Sequence, residues 1–157
     1  MWLGSIYPWA GNYRSVNIGN GGCQFAHAAL IPRLMANFGK DALRRHTPCG
    51  DTAHATVARS LAEVHAQLFL IHPFRDGNGR LARLVSVLMA AQAGVNSLRL
   101  SALAGAGRRT YAQAIHAAMT RDYAPLESLF ASALDGPWRS AAATRSEEHT
   151  SELQSPI

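Results

Sequence analysis

The run His72-Pro73-Phe74-Arg75-Asp76-Gly77-Asn78-Gly79-Arg80-Leu81-Ala82-Arg83 crowds groups of different chemical capacity into one short stretch between two apolar segments. A helix beginning at Gly79 would present its first backbone N–H groups, which have no partner inside the helix, at the positive end of its macrodipole. Gly77 and Gly79 would let the chain aim successive N–H groups at one point and let an anion approach closely, so the stretch reads as a phosphate cradle. Arg80 and Arg83 are three positions apart and project near the same side of the first turn, where guanidinium groups can grip phosphate oxygens in pairs. Asp76 is a hard oxygen donor beside the cradle, and magnesium typically takes one or two carboxylates together with substrate phosphates. His72, whose ordinary pKa is about 6.5, is the natural general base. Phe74 is read as pointing into the core and fixing the loop. Each residue alone has a plainer explanation: a helix-end histidine, a turn at Gly77-Asn78-Gly79, a solvated arginine face. Their conjunction points to chemistry on a phosphate.

Two helices must hold that loop. Val57, Leu61, Val64, Leu68 and Ile71 step by three or four between Thr52 and Ile71, which predicts one helical stripe that ends where His72 meets Pro73. Asp51 or Thr52 is a suitable cap for its start. Leu81, Leu84, Val85, Leu88 and Met89 predict a second stripe that closes near Gly94. Further helices fit about Ala28–Phe38, Arg108–Met119 and Pro125–Leu134, the last stopped by Gly136-Pro137. Ahead of them lies an aromatic and glycine-rich stretch containing Trp2, Tyr7, Trp9 and Tyr13. Within it, Tyr13–Ile18 and Cys23–Phe25 flank Gly19-Asn20-Gly21-Gly22 and predict a short β-hairpin. The expected fold class is mainly α, a helical bundle with one small hairpin.

A chain of 157 residues with 48% hydrophobic and 16% charged residues has the profile of one globular domain rather than a disordered chain. No apolar run approaches the roughly 18 residues of a membrane helix, and no basic flank precedes an apolar core at the N-terminus, so no membrane partner is expected. Cys23 and Cys49 are too few for a disulfide framework, and a cytoplasmic location is the simplest expectation, with a secreted effector left open. The net charge of +5 comes almost wholly from arginine, because Lys40 is the sole lysine. No four basic residues stand together, so the charge does not point to nucleic acid. Residues 145–157 break the composition, and Arg145–Ser155 reads as a translated frame of a sequencing-library adapter. This tail is expected to be foreign to the domain. Setting it aside leaves fourteen basic and seven acidic residues.

At His72–Arg83 the sequence resembles the Fic-domain family at every specified position of the signature His-x-Phe-x-Asp/Glu-Gly-Asn-Gly-Arg-x-x-Arg. Ile6–Arg14 is similar to the segment leading into the family's hairpin, or flap, and Asp122-Tyr123-Ala124-Pro125 to a segment near the domain's end. The likeness covers roughly residues 3–135, within an expected Fic domain over 1–140. It implies a Fic-type helical bundle and transfer of AMP from ATP to a Ser, Thr or Tyr hydroxyl of a target protein, with release of pyrophosphate. By the same resemblance His72 would be the base and Asp76 would hold Mg2+. Gly77, Asn78 and Gly79 would bind the phosphates, and Arg80 and Arg83 the β/γ end. The target would dock on the flap by strand addition.

The family's inhibitory string, Ser/Thr-x-x-x-Glu-Gly/Asn, is not found in residues 1–144. The resemblance therefore implies that an inhibitory glutamate for Arg83 comes from further sequence or from an antitoxin chain. The family's helix before Tyr7-Pro8-Trp9 has only a few residues here, so an N-terminally truncated domain is expected. Two alternatives stand beside AMP transfer at this point: Fic-type transfer of another nucleotide or phosphate-containing group, and a non-enzymatic basic helical binding module.

Overall fold

The computed structural model describes residues 4, 6–20, 22–50, 53–95, 97–103 and 107–134. Near the start is a minimal antiparallel hairpin in which β1 (Gly19–Asn20) pairs with β2 (Cys23–Gln24), Gly19 opposite Gln24 and Asn20 opposite Cys23. A single 3-10 turn over Ala28–Leu30 leads into α1 (Ile31–Phe38), which has a proline in its first turn, where a missing N–H costs least. The helical path does not stop at Phe38 as expected. It widens into a π-type turn over Gly39–Leu43 and ends in α2 (Arg44–His46). The remaining elements are α3 (His54–Ile71), α4 (Asn78–Gln92), a 3-10 turn at Leu100–Leu103, α5 (Arg108–Ala118) and α6 (Ala124–Leu134). None of these helices is long and apolar enough to cross a membrane. Trp2, Gly21, the capping candidates Asp51 and Thr52, Gly136-Pro137 and the tail 145–157 lie outside the described residues; Ala53 occupies the cap position of α3 and makes no side-chain cap.

Helix α3 is the axis of the fold. Val57, Leu61, Val64, Leu68 and Ile71 are all buried, as their spacing predicts, and so are Ala58, Ala62 and Ala66 on the rest of its circumference. A helix apolar nearly all round must be covered on several sides. Helices α4 and α6 pack most extensively along it, with α1 beside them, and Leu126, Phe130 and Leu134 of α6 are fully buried. His65 lies inside this core. Its Nδ1 is 3.0 Å from the Ser86 hydroxyl and its Nε2 is 2.8 Å from the Tyr111 hydroxyl. Ser86 donates its own proton to the Ala82 carbonyl, so its oxygen is the acceptor for His65 Nδ1–H, and Tyr111 donates to Nε2. Burial pushes the His65 pKa down to about 4, and the neutral ring pins α3, α4 and α5 together with both nitrogens satisfied.

Helix α4 corrects the sequence reading. Its inward face carries Asn78, Ala82, Ser86, Met89 and Ala90, whereas Leu84 and Leu88 are each 55% exposed. Small residues let α4 approach α3 closely, and Ser86 must face inward to meet His65. That rotation carries Leu84 and Leu88 away from the core, while Met89 stays buried and Leu81 and Val85 pack against it. The hairpin reading also contracts, because Tyr13–Ile18 is not a strand. The reason is Arg14, which is only 2% exposed. Its backbone N–H donates to the Pro73 carbonyl at 2.9 Å, and its guanidinium donates to the carbonyls of His72 (2.7 Å), Val16 (2.7 Å), Ala26 (2.5 Å) and Ile71 (3.3 Å). The segment is tied to the end of α3 rather than to a facing strand.

Two stability measurements follow. In urea titrations, Met89→Ala is expected to cost about 2–4 kcal/mol, whereas Leu84→Ala, which opens no cavity, is expected to stay within about 0.5 kcal/mol. Arg14→Lys keeps the charge but loses the planar fork that reaches several carbonyls at once. It is expected to cost about 2 kcal/mol in the same assay, and a loss below about 0.5 kcal/mol would show the fork to be dispensable.

Candidate active site

The loop from His72 to Gly77 joins the C-terminus of α3 to the N-terminus of α4. His72 ends α3 in the left-handed region, with φ +51°, while its N–H still donates to the Leu68 carbonyl at 3.2 Å. Few residues other than glycine adopt that conformation, and it persists where surrounding contacts over-determine it. Here the His72 carbonyl is held by Arg14. The ring Nδ1 donates to the Phe69 carbonyl at 2.9 Å, and the ring stacks on Phe25 with centroids 3.6 Å apart. A carbonyl can only accept, so Nδ1 carries the proton and the lone pair lies on Nε2. Burial pushes the His72 pKa down, the bond to Phe69 opposes that shift, and the nearby Arg14 guanidinium adds to it.

Pro73 is fully buried and turns the chain outward. Asn78 then closes the loop from within. Its Oδ1 accepts from the Phe74 N–H at 2.9 Å, its Nδ2 donates to the Phe74 carbonyl at 2.7 Å, and the residue is 2% exposed. The Asn78 side-chain amide is therefore committed to the loop's shape. Phe74 is half-buried rather than a core residue, its ring 5.8 Å from that of Tyr13. Gly77 sits at φ +88°, a conformation that a side chain would strain, and its carbonyl accepts the Leu81 N–H at 2.8 Å. Gly79 is ordinary helix; a Cβ there would lie 3.7 Å from Arg83 Nη1, so the missing side chain leaves bare backbone beside that guanidinium.

Arg80 and Arg83 do not point together in this state. Arg80 turns back to Asp76 and pairs with its carboxylate at 2.7 Å, both side chains being largely exposed. Arg83 lies over Gly79, close enough for its charge to oppose protonation of His65 and to lower the Tyr111 pKa against the upward push of burial. Arg75 sits over the Trp9 ring at 5.6 Å, and Trp9 stacks on Tyr7. Among the described residues no three His, Cys, Asp or Glu side chains gather as a metal site. Asp76 supplies one exposed carboxylate at the loop tip. That donor set suits a magnesium ion only when nucleotide phosphates provide further oxygens.

Sequence reasoning missed Arg14, Phe25 and His65. Arg14 had a signal, since it closes the aromatic Tyr7–Arg14 segment, but nothing local distinguishes a buried arginine from a solvated one. His65 had a better one: a histidine flanked by the apolar stripe of a buried helix must find partners for both ring nitrogens.

Residues 1–90 match the family model described as Fic/DOC family. The chain is 28% identical over 129 residues to a probable protein adenylyltransferase Fic of Salmonella typhimurium, spanning 82% of this chain and 62% of that protein. It is 32% identical over 92 residues to the protein adenylyltransferase VbhT of Bartonella schoenbuchensis, spanning 59% of this chain and 19% of the relative. The chain thus spans less than two thirds of the length of these relatives. Among solved structures it resembles the effector protein BepC of Bartonella tribocorum with bound AMPPNP, with a TM-score of 0.65 and 25% identity, covering 81% of this chain and 66% of that one. It also resembles the Fic domain of an effector of Bartonella quintana with bound ADP, with a TM-score of 0.65 and 26% identity over 81% of this chain and 64% of that one. With the family model matched across more than half its length and the signature loop set between two packed helices, the chain belongs to the Fic/DOC family.

Proposed function

We propose that this domain is a protein adenylyltransferase that moves AMP from ATP to a Ser, Thr or Tyr hydroxyl of a target protein. The observation that carries the reading is the committed tautomer of His72: Nδ1 is held by the Phe69 carbonyl, so the lone pair is on Nε2, in the residue that opens the loop leading to α4. Relatives named as adenylyltransferases and family structures holding AMPPNP or ADP support the nucleotide. The target hydroxyl gives its proton to Nε2 as its oxygen bonds to the α-phosphorus. The bond from that phosphorus to the α–β bridging oxygen breaks, and pyrophosphate leaves with the electron pair. Burial lowers the His72 pKa and so favours the neutral ring that a base requires.

The rest of the loop binds and orients. The backbone N–H groups at Gly77, Asn78 and Gly79 receive phosphate oxygens at the positive end of α4. Arg83 and Arg80, the latter once released from Asp76, hold the β/γ end and set the α-phosphate for in-line attack. Asp76 is the residue that would hold Mg2+, which supplies charge neutralisation on the phosphates when bound. The target segment adds to the hairpin formed by β1 and β2. An inhibitory glutamate, carried by further sequence or a separate antitoxin chain, would compete with nucleotide for Arg83.

Incubation of the chain with ATP labelled at the α-phosphate and a bacterial lysate tests the assignment. His72→Ala is expected to reduce label transfer by about 10²–10⁴-fold while ATP binding by calorimetry changes little. Residual transfer above about a tenth of wild type would remove His72 from the role. For the metal, Asp76→Asn is expected to raise the magnesium concentration needed for half-maximal transfer, because one charged oxygen donor is lost. An unchanged magnesium titration and rate would make Asp76 purely a partner of Arg80.

A further inference from the structure

Nothing intrinsic to a histidine side chain fixes its ring plane, because rotation about the second side-chain torsion is broad. At His72 the plane is fixed by neighbours. The Phe25 ring lies face to face with the imidazole, centroids 3.6 Å apart and planes 11° from parallel. The Phe69 ring meets it edge-on at 5.3 Å and 84°. The hydrogen bond from Nδ1 to the Phe69 carbonyl decides which nitrogen points away. Phe69 belongs to α3, as does the carbonyl. Phe25 does not: it follows β2 directly and is the group from the hairpin side that touches the imidazole face.

The backbone around Phe25 is well anchored. On the following residue, the Ala26 N–H donates to the Leu70 carbonyl at 3.2 Å and the Ala26 carbonyl accepts from Arg14. Two residues further on, the Ala28 N–H donates to Asn17 Oδ1 at 2.8 Å. On the other side, Cys23 Sγ lies 3.7 Å from Met119 Sδ. The ring is thus held against His72 by the same bonds that hold the hairpin to the helical body.

We propose that Phe25 is a positioning residue for AMP transfer: its stack on His72 holds Nε2 at the angle from which it takes the target hydroxyl's proton, and links the seating of a target on the hairpin to the alignment of the base. The proposal rests on the assignment of His72 as that base. The proton moves from the hydroxyl to Nε2 as in the reaction above, and the π-face of Phe25, within cation–π range, lies against the imidazolium that forms. Phe25 touches no reacting atom. Its effect is on geometry, so its loss lowers the maximal rate rather than ATP affinity, and an aromatic replacement restores it.

The test uses the full 157-residue chain, as wild type, Phe25→Leu and Phe25→Tyr. Label transfer from ATP into lysate protein is measured against ATP concentration. The maximal rate of Phe25→Leu is expected to fall about tenfold or more with the KM for ATP within about twofold, and Phe25→Tyr to recover wild-type values. In parallel, NMR of the histidine-labelled free protein reads the ring protons of His72, assigned by their disappearance in His72→Asn. They are expected upfield in wild type and Phe25→Tyr, from the ring current of the stacked face, and shifted downfield in Phe25→Leu. If Phe25→Leu loses its cooperative thermal transition, Phe25→Met carries the same comparison. A leucine or methionine variant whose ring protons have moved but whose maximal rate stays within about twofold of wild type overturns the positioning role. Wild-type ring protons at the position of solvated histidines overturn the stack itself. A wild-type chain that transfers no label overturns the proposed function and with it the role of Phe25 in transfer, an outcome the NMR arm keeps separate because it needs no nucleotide.

Discussion

A buried guanidinium at the C-terminus of α3 holds the rest of this structure in place. Among the described residues Arg14 has no carboxylate partner; its charge is met by four backbone carbonyls, two of them at Ile71 and His72, where the helix dipole is negative and the last carbonyls lack partners. An arginine can serve several carbonyls at once because its donors form a rigid planar fork. The other two carbonyls belong to Val16 and Ala26, which bracket the hairpin. One side chain thereby joins the end of the central helix, the chain entering the hairpin and the chain leaving it. Removing a buried cation of this kind would leave those carbonyls without donors in a site that excludes water.

From that junction the loop between α3 and α4 inherits its shape. His72 occupies a left-handed conformation that a β-carbon disfavours, and the strain is tolerated because Arg14 holds its carbonyl and α3 holds its N–H. The ring is then aimed by contacts from opposite sources, Phe69 on the helix and Phe25 from the hairpin. Five residues on, Gly77 takes the second left-handed conformation and starts α4, with the Asn78 amide bridging back to Phe74. The proposed base and the helix end proposed to bind phosphate are thus set at opposite ends of one short loop, and neither is free to drift relative to the other. Effective general-base catalysis needs that fixity more than it needs an unusual pKa.

The loop was legible in the sequence because its groups are local: the glycines, the asparagine, the arginines and the histidine stand within one unbroken run from His72 to Arg83. Helix α3 was legible for a related reason, its stripe being matched on every side by alanines. What could not be read was decided by distant partners. Leu84 and Leu88 look like core residues until Ser86, two positions away from each, has to face His65 of α3, which turns them outward. Tyr13–Ile18 alternates acceptably as a strand, but Arg14 commits its donors to carbonyls nearly sixty positions away, and no facing strand forms. The resemblance implied a phosphate-binding role for Asn78 but not what its side chain does: the amide satisfies both backbone polar groups of Phe74, an arrangement visible only when the loop's closure is known.

The pairing of Asp76 with Arg80 adds a last constraint on how the site works. The carboxylate that would hold a cation and a guanidinium that would hold a phosphate neutralise one another across one turn of helix. Both are exposed, so the pair contributes little to stability, of the order of 0.5 kcal/mol for an exposed i,i+4 pair, and gives way easily. A cation alone would leave Arg80 without its anion, and a phosphate alone would leave Asp76 without its cation. Only the two together satisfy both side chains after the exchange. In the proposed reaction the loop tip would therefore favour a metal–nucleotide complex over either component through the charges it already carries, while Arg83, resting over the bare backbone of Gly79, would be open to the phosphates from the start.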